Sequence, residues 1–108
     1  MDALQFSNAK TVAAGASSAN FTLPAQGSQQ TEPARWLLLT LHPLDTKPTD
    51  PIFFRLGDSA VTVSTANGVM LTLHTPLKVN AYGATHIAVI EGVSGSVGAV
   101  NIAALENQ

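Results

Sequence analysis

Short runs of alternating apolar and polar residues, separated by glycine, proline or Asn-Gly turns, dominate the chain from residue 35 onwards. Alternation with a period of two is typical of β-strands, whose successive side chains point to opposite faces of a sheet. Turn signals recur about every ten residues, and no helical period intervenes to provide the crossovers that parallel strands need. The sequence therefore predicts an all-β fold, an antiparallel β-sandwich or jelly roll of about eight short strands.

The strongest strand pattern covers residues 35–42, where apolar side chains on both faces predict a strand that is covered on both sides. Pro76 is expected to confine its strand to a sheet edge. The last two strands are expected to form a hairpin through the Gly-Ser turn between them. Further strands are predicted at 52–56, 60–64, 69–74, 76–80, 85–91 and 99–104. In 60–64, Val61 and Val63 are expected to point inward, and Thr62 and Ser64 outward.

The first 30 residues differ from the rest in being rich in Ala, Ser, Gly, Thr and Gln. They hold only two strand-like pieces, at 11–14 and 20–23, so residues 1–30 are predicted to be an extended N-terminal arm with the first strands. A helix over 11–19 ranks second, because Gly15 interrupts it. Residues 31–108 are predicted to form the β-sandwich core, and a chain of 108 residues suits a single domain.

Charge and cysteine content exclude several classes of function. Charged residues make up 11% of the chain, and its five Lys and Arg are scattered, so neither nucleic acid nor an anionic membrane is a predicted partner. The chain has no cysteine, and its start does not resemble a secretory signal, so folding in a reducing cytoplasm is expected. A surface with so few charges favours an assembly of subunits.

Residues that would carry catalysis or bind metals are not grouped in the sequence. The three histidines, His42, His74 and His86, are far apart and lack the spacing of a zinc site. The stretch 92–96 has Ser where a nucleophile elbow needs its second Gly, and the acidic residues form no calcium loop. We therefore predict no catalytic residue, no metal site and no cofactor, and a protein that is not an enzyme.

Two stretches and the turn that follows them resemble small bacteriophage virion proteins of the head decoration, or cement, type. The stretches are Phe54-Arg55-Leu56-Gly57-Asp58-Ser59-Ala60-Val61-Thr62-Val63 and Tyr82-Gly83-Ala84-Thr85-His86-Ile87-Ala88-Val89-Ile90. With the closing Gly-Ser turn, the resemblance covers residues 54–103. It implies a compact β-sandwich that binds the outer surface of an assembled phage capsid and stabilises it.

The resemblance implies the major capsid protein lattice as partner, self-association, for example as a trimer, and a location on the virion surface. Under this hypothesis the aromatic residues and one charged pair are the candidate contacts: Phe6, Phe21, Trp36, Phe53, Phe54, Arg55 and Asp58. Two alternatives stay open. One is a tail or receptor-binding structural module. The other is a carbohydrate-binding β-sandwich, which predicts that Trp36 and Tyr82 are exposed together as a sugar platform.

Overall fold

A computed structural model describes residues 6–24, 36–43, 51–72, 75–81, 83–92 and 98–105, with backbone alone at 6–8, 42, 43 and 105. The described residues form eight strands and no helix. The strands are β1 (Phe6–Ala14), β2 (Ala19–Thr22), β3 (Trp36–Pro43), β4 (Ile52–Gly57), β5 (Val69–Leu71), β6 (Leu77–Asn80), β7 (His86–Glu91) and β8 (Gly98–Leu105).

The strands form two four-stranded sheets in which every pair is antiparallel. The first sheet has the order β1-β8-β3-β6, and the second has the order β2-β7-β4-β5. Four antiparallel pairs are nested along the chain, as in one long hairpin: β4–β5, β3–β6, β2–β7 and β1–β8. Successive pairs lie in alternate sheets. This winding is the jelly roll, so the predicted fold class is confirmed.

The core lies between the sheets and is made by every second residue of the central strands. In β3, Leu37, Leu39 and Leu41 are buried, and their partners on β8 are Ala104, Ile102 and Val100, which are also buried. The second sheet contributes its own inward row, which includes Ile52, Phe54, Leu71, Ile87 and Val89. Burial of these apolar side chains is the main stabilising term of a chain without disulfides.

Strand β3 was predicted to be covered on both sides, and the structure shows that its two faces differ. The inner side chains are buried, whereas Trp36, Leu38 and Thr40 point outward and are half-buried. The prediction that Pro76 confines its strand to an edge is confirmed, because β6 is the last strand of the first sheet. The strand predicted at 69–74 is shorter than expected and ends at Leu71.

The hairpin predicted between the last two strands is wrong. Strand β7 belongs to the second sheet and β8 to the first, where β8 pairs with β1 and β3. The connection between them therefore passes from one sheet to the other. A glycine-rich turn is compatible with either connection, and the alternation of the flanking strands carries no information on which sheet each strand joins.

The two N-terminal strands lie at the edges of the sandwich. Strand β1 pairs with β8 at the edge of the first sheet, and β2 pairs with β7 at the edge of the second. Lys10 joins them, because its half-buried side chain donates a hydrogen bond from Nζ to the backbone oxygen of Thr22 at 3.0 Å. A charged side chain directed towards the inside of an edge strand discourages pairing with another strand. No helix in the described ranges is long and apolar enough to cross a membrane.

Candidate interaction surfaces

Concave sites and ligand clusters are not found in the described part of the chain, which shows no pocket and no group of three His, Cys, Asp or Glu residues. His86 is half-buried, and its Nδ1 lies 2.8 Å from Oγ1 of Thr85. His74 and the side chain of His42 lie outside the described residues. The outer faces and edges of the two sheets are therefore the candidate interaction surfaces.

The outward side of the first sheet, which we call the first outer face, is almost uncharged. Its members follow from the pairing register, since directly paired residues of antiparallel strands share a face. Ala99 shares this register but is 1% exposed, and its partner His42 has a side chain outside the described residues. The described members are mostly small or neutral, and Lys78 is the single charged residue among them: Ala9, Thr11, Ala13, Trp36, Leu38, Thr40, Lys78, Asn80, Asn101 and Ala103.

One end of the first outer face is built around Trp36. The ammonium of Lys78 lies over the indole ring, 4.9 Å from the ring centroid, which is the geometry of a cation–π contact. Lys78 is on the edge strand β6 and is directly opposite Leu38, while Asn80 is opposite Trp36. The lysine therefore covers part of the ring surface on which a sugar would stack.

The middle of the first outer face is a row of three polar uncharged residues, Thr11, Asn101 and Thr40, on adjacent strands. The side-chain amide of Asn101 donates a hydrogen bond from Nδ2 to Oγ1 of Thr11 at 3.1 Å. The row is bordered on both sides by alanines of β1 and β8. Uncharged hydroxyl and amide groups that find hydrogen-bond partners cost less free energy to desolvate than charged groups do. This face can therefore be covered by another protein surface.

The outer side of the second sheet is crossed by residues 58–68, which we call the crossing loop. A strand was predicted at 60–64 and is not formed, since this segment joins neither sheet. Its alternation is nevertheless real, because Val63 is buried and Val61 half-buried while Thr62 and Ser64 are exposed. The segment is extended, and its apolar side chains face the protein rather than a partner strand.

Hydrogen bonds from side chains near β2 hold the crossing loop in place. Asn20 donates from Nδ2 to the backbone oxygen of Val61 at 3.0 Å, and the backbone N–H of Val63 donates to Oγ of Ser18 at 3.0 Å. Ala88 of β7 lies on the outward side of the sheet and is 0% exposed. We attribute this burial to the crossing loop, which is anchored on both sides of β7.

Hydrogen bonds stabilise a turn at each end of the crossing loop. Asp58 accepts a hydrogen bond at Oδ1 from the N–H of Ala60 at 2.9 Å, and the predicted Asn-Gly turn is present. There the N–H of Ser64 donates to Oδ1 of Asn67 at 2.8 Å, and the N–H of Gly68 donates to the oxygen of Ser64 at 3.0 Å. These turns fix the path of the loop back to β5.

The aromatic candidates from the sequence are dispersed over the molecule. Phe54 is 3% exposed and belongs to the core, so it lies on neither outer face. Phe21 is half-buried and packs against the core, whereas Phe53 is half-buried on the outer side of the second sheet. Trp36 lies on the first outer face. The side chain of Phe6, and Tyr82 as a whole, lie outside the described residues.

Arg55 and Asp58, the expected ion pair, are both exposed, and no ion pair joins these two described residues. The carboxylate of Asp58 is used in its own turn, and Arg55 lies on the outer side of β4 opposite Ala88. Sequence reasoning missed Val69 and Met70, the exposed large apolar side chains of β5. Their signal was the short apolar run after Gly68, which has no charged residue to mark a solvent-facing side.

No protein-family model, curated protein or solved structure matches this chain. A functional proposal therefore depends on the surfaces described above and on the resemblance seen in residues 54–103.

Proposed function

We propose that this protein is a non-enzymatic structural protein of a bacteriophage virion, which binds the outer surface of the capsid and stabilises it. In this proposal the protein folds in the host cytoplasm, and its partner is the lattice of the major capsid protein. The resemblance of residues 54–103 to head decoration proteins is the first support. The jelly-roll winding is the second, because this fold is common among viral capsid domains, although it also occurs in lectins.

The observation that carries the proposal is the first outer face. It is a sheet surface with one charged residue, Lys78, and no carboxylate among its described members. The cores of protein interfaces are depleted of charged residues, and aromatic residues are enriched there. The described residues form no pocket, and such a face suits contact with a broad protein surface better than capture of a small ligand, which needs a concave site.

Many copies on a regular shell would act together. A single neutral face makes a contact of modest affinity, but a subunit that bridges neighbouring capsid proteins binds by two contacts at once. Any protein that binds only the assembled shell stabilises that shell by mass action. The expected effect of binding is therefore a higher melting temperature of the capsid at saturation.

The experiment that tests the proposal mixes purified protein with mature capsids that lack it, pellets the capsids and counts bound copies. Saturation at a fixed ratio to the major capsid protein, with a raised melting temperature of the shell, is the expected result. A lack of binding under conditions in which the protein remains folded would contradict the proposal. Binding to purified tails instead of heads would identify the protein as a tail module.

A matched pair of variants tests which face makes the contact. Thr11→Glu places a carboxylate on the first outer face, and Thr62→Glu makes the same change on the exposed side of the crossing loop. Burying an unpaired carboxylate is costly, so Thr11→Glu is expected to weaken capsid binding by at least about tenfold. Thr62→Glu is expected to bind as the unchanged protein does. Equal effects of the two variants would mean that another surface is used.

The carbohydrate-binding alternative predicts that Trp36 binds a glycan, which a capsid-binding protein is not expected to do. Sugar stacking on the indole ring requires that Lys78 leaves the ring, and glycan binding would then change tryptophan fluorescence. The chain has a single tryptophan, so this signal has one source. A glycan array read together with fluorescence titration separates the alternatives, because a capsid-binding protein is expected to show neither response.

A further inference from the structure

The turn at the end of the crossing loop contains the pair Asn67-Gly68. Asparagine is a chemically labile residue, and it loses its side-chain amide most readily before glycine, because glycine has no side chain to hinder attack by its backbone nitrogen. Among the asparagines of the chain, only Asn67 is followed by glycine. Asn67 is also exposed, so water and hydroxide reach it. Sequence and exposure together indicate one position for this reaction.

The reaction needs only the chain and water. The backbone nitrogen of Gly68 loses its proton and bonds to Cγ of Asn67, while the bond from Cγ to Nδ2 breaks and Nδ2 leaves as ammonia with that proton. Water then opens the resulting succinimide ring. Cleavage of the bond from nitrogen to Cγ gives aspartate. Cleavage of the bond from nitrogen to the main-chain carbonyl carbon gives isoaspartate, in which the backbone runs through the former side chain.

In the folded turn, Ser64 binds both of the groups that must react. The N–H of Gly68 donates to the backbone oxygen of Ser64 at 3.0 Å, and the N–H of Ser64 donates to Oδ1 of Asn67 at 2.8 Å. The proton that has to leave Gly68 is therefore held in a hydrogen bond. The side chain of Asn67 is bound to a residue three positions earlier in the chain, away from the nitrogen that attacks it. The turn must open before the two groups can meet.

Packing around Gly68 keeps the turn closed and explains why a labile pair lies there. A methyl group at this position would lie 2.6 Å from Cγ2 of Val63 and 3.0 Å from Cβ of Phe53, so only glycine fits. The turn thus lies directly on β4, and opening it separates packed atoms as well as hydrogen bonds. Local opening of this kind costs free energy, and the open form is populated only in part.

We propose that Asn67 is a site of spontaneous deamidation, and that the closed turn of the crossing loop restrains the reaction. The rate of deamidation then measures how often the turn opens. The two products differ in their effect on the loop. Aspartate keeps a side-chain oxygen that accepts the N–H of Ser64, whereas isoaspartate adds a carbon to the backbone immediately before Gly68 and β5. The isoaspartate form therefore loses the turn.

Comparison of the folded and the unfolded chain tests the restraint. Both are incubated in the same mildly alkaline buffer, which favours loss of the amide proton, with urea added to unfold one sample. Mass spectrometry of proteolytic peptides locates the deamidated residue. Asn67 is expected to react first in the unfolded chain and at least about tenfold more slowly in the folded protein. Equal rates, or an Asn67 that stays intact in the unfolded chain, would refute the proposal.

A matched pair of serine variants tests whether the crossing loop controls the rate. Oγ of Ser18 accepts the N–H of Val63 at 3.0 Å, four residues before Asn67, whereas the neighbouring Ser17 is exposed. Ser18→Ala is expected to raise the rate in the folded protein by about two- to tenfold, the range for one lost hydrogen bond. Ser17→Ala should leave it unchanged. Equal rates in the two variants would overturn control by the loop, and circular dichroism confirms that both are folded.

Hydrogen exchange of the Gly68 amide tests the difference between the products. Asn67→Asp reproduces the aspartate form and is expected to protect this amide as the unchanged protein does. The isoaspartate form, isolated after prolonged incubation and identified by a methyltransferase specific for isoaspartate, is expected to exchange at least about tenfold faster. Equal protection would show that isoaspartate fits the turn and would overturn this consequence. All of these measurements use free protein, so their outcome is independent of capsid binding.

Discussion

At the scale of single residues, adjacent phenylalanines of β4 have opposite roles. Phe54 points into the core beside Val89, its partner on β7, and is 3% exposed. Phe53 points outward and is half-buried. Because the side-chain period of a strand is two, a shift of one residue in this strand would exchange the two positions and expose the core.

The same substitution at these two positions is expected to have different costs. Phe54→Ala leaves a cavity between the sheets and should lower the free energy of unfolding by ~3–5 kcal/mol. Phe53→Ala removes a half-buried ring that its surroundings can partly replace with water, so the loss should be ~1–2 kcal/mol. Urea denaturation of both variants measures the difference. Equal losses would show that the assigned inward and outward faces are wrong.

The sequence itself contains a signal for this assignment. Arg55 shares a face with Phe53, since both are odd positions of one strand, and an arginine is seldom buried without a partner. Ile52, Phe54 and Leu56 then form the inward row, as the structure shows. By this parity, only Phe53 of the two phenylalanines can be an interface residue, and the expectation that included Phe54 is wrong.

At the scale of elements, the crossing loop is a third layer over part of the second sheet. Its contact with β4 is close at Gly57, where a methyl group would lie 2.8 Å from Cβ of Val61. A glycine at this position lets the loop approach the strand. The packing depends on the missing side chain rather than on an unusual backbone conformation, because Gly57 does not have a positive φ.

Gly57→Ala is expected to push the loop away from β4 and to lower the free energy of unfolding by ~1–3 kcal/mol. Gly15→Ala is the matched control, since no atom lies within 4 Å of the added methyl group and Gly15 has no positive φ. That control should be neutral or stabilising by up to ~1 kcal/mol. Hydrogen exchange should also show faster exchange of the Val63 amide in Gly57→Ala. A neutral Gly57→Ala would contradict the packing described.

The crossing loop also shows what an alternating pattern can and cannot predict. The alternation of residues 60–64 correctly predicted which side chains face the protein, and it wrongly predicted a strand. Alternation reports that one face is buried, but it does not report what buries it. Here Ser18 and Asn20 replace the partner strand, at sequence separations of 45 and 41 residues. No local pattern could locate those partners.

At the scale of the whole molecule, the jelly roll depends on pairs between distant parts of the chain. Strand β1 pairs with β8 along nearly its whole length, and Val12, which is buried, is opposite Val100. Such pairs are slow to form, because a long loop must close before its contacts stabilise the fold. Length, composition and turn spacing were sufficient to predict an antiparallel sandwich, but not the sheet in which each strand lies.

Removal of residues 1–14 tests how far the N-terminal strand belongs to the domain. The deletion removes β1, turns the central strand β8 into an edge strand and exposes the core at Val100. The shortened chain is expected to be unfolded or aggregated by circular dichroism and light scattering, since the lost packing is comparable to the marginal stability of a small domain. A cooperative thermal transition within a few degrees of the full chain would instead show that β1 is an accessory arm.

The pairing of Phe6 with Leu105 brings the first described residue of β1 beside the last described residue of β8. Polypeptides fused before residue 6 and after residue 105 would therefore leave from one corner of the sandwich. An enzyme or antigen attached at either end would leave from the side of the first sheet opposite to its edge strand β6. If the protein binds capsids as proposed, this geometry makes the domain a candidate scaffold for displaying foreign proteins on the shell.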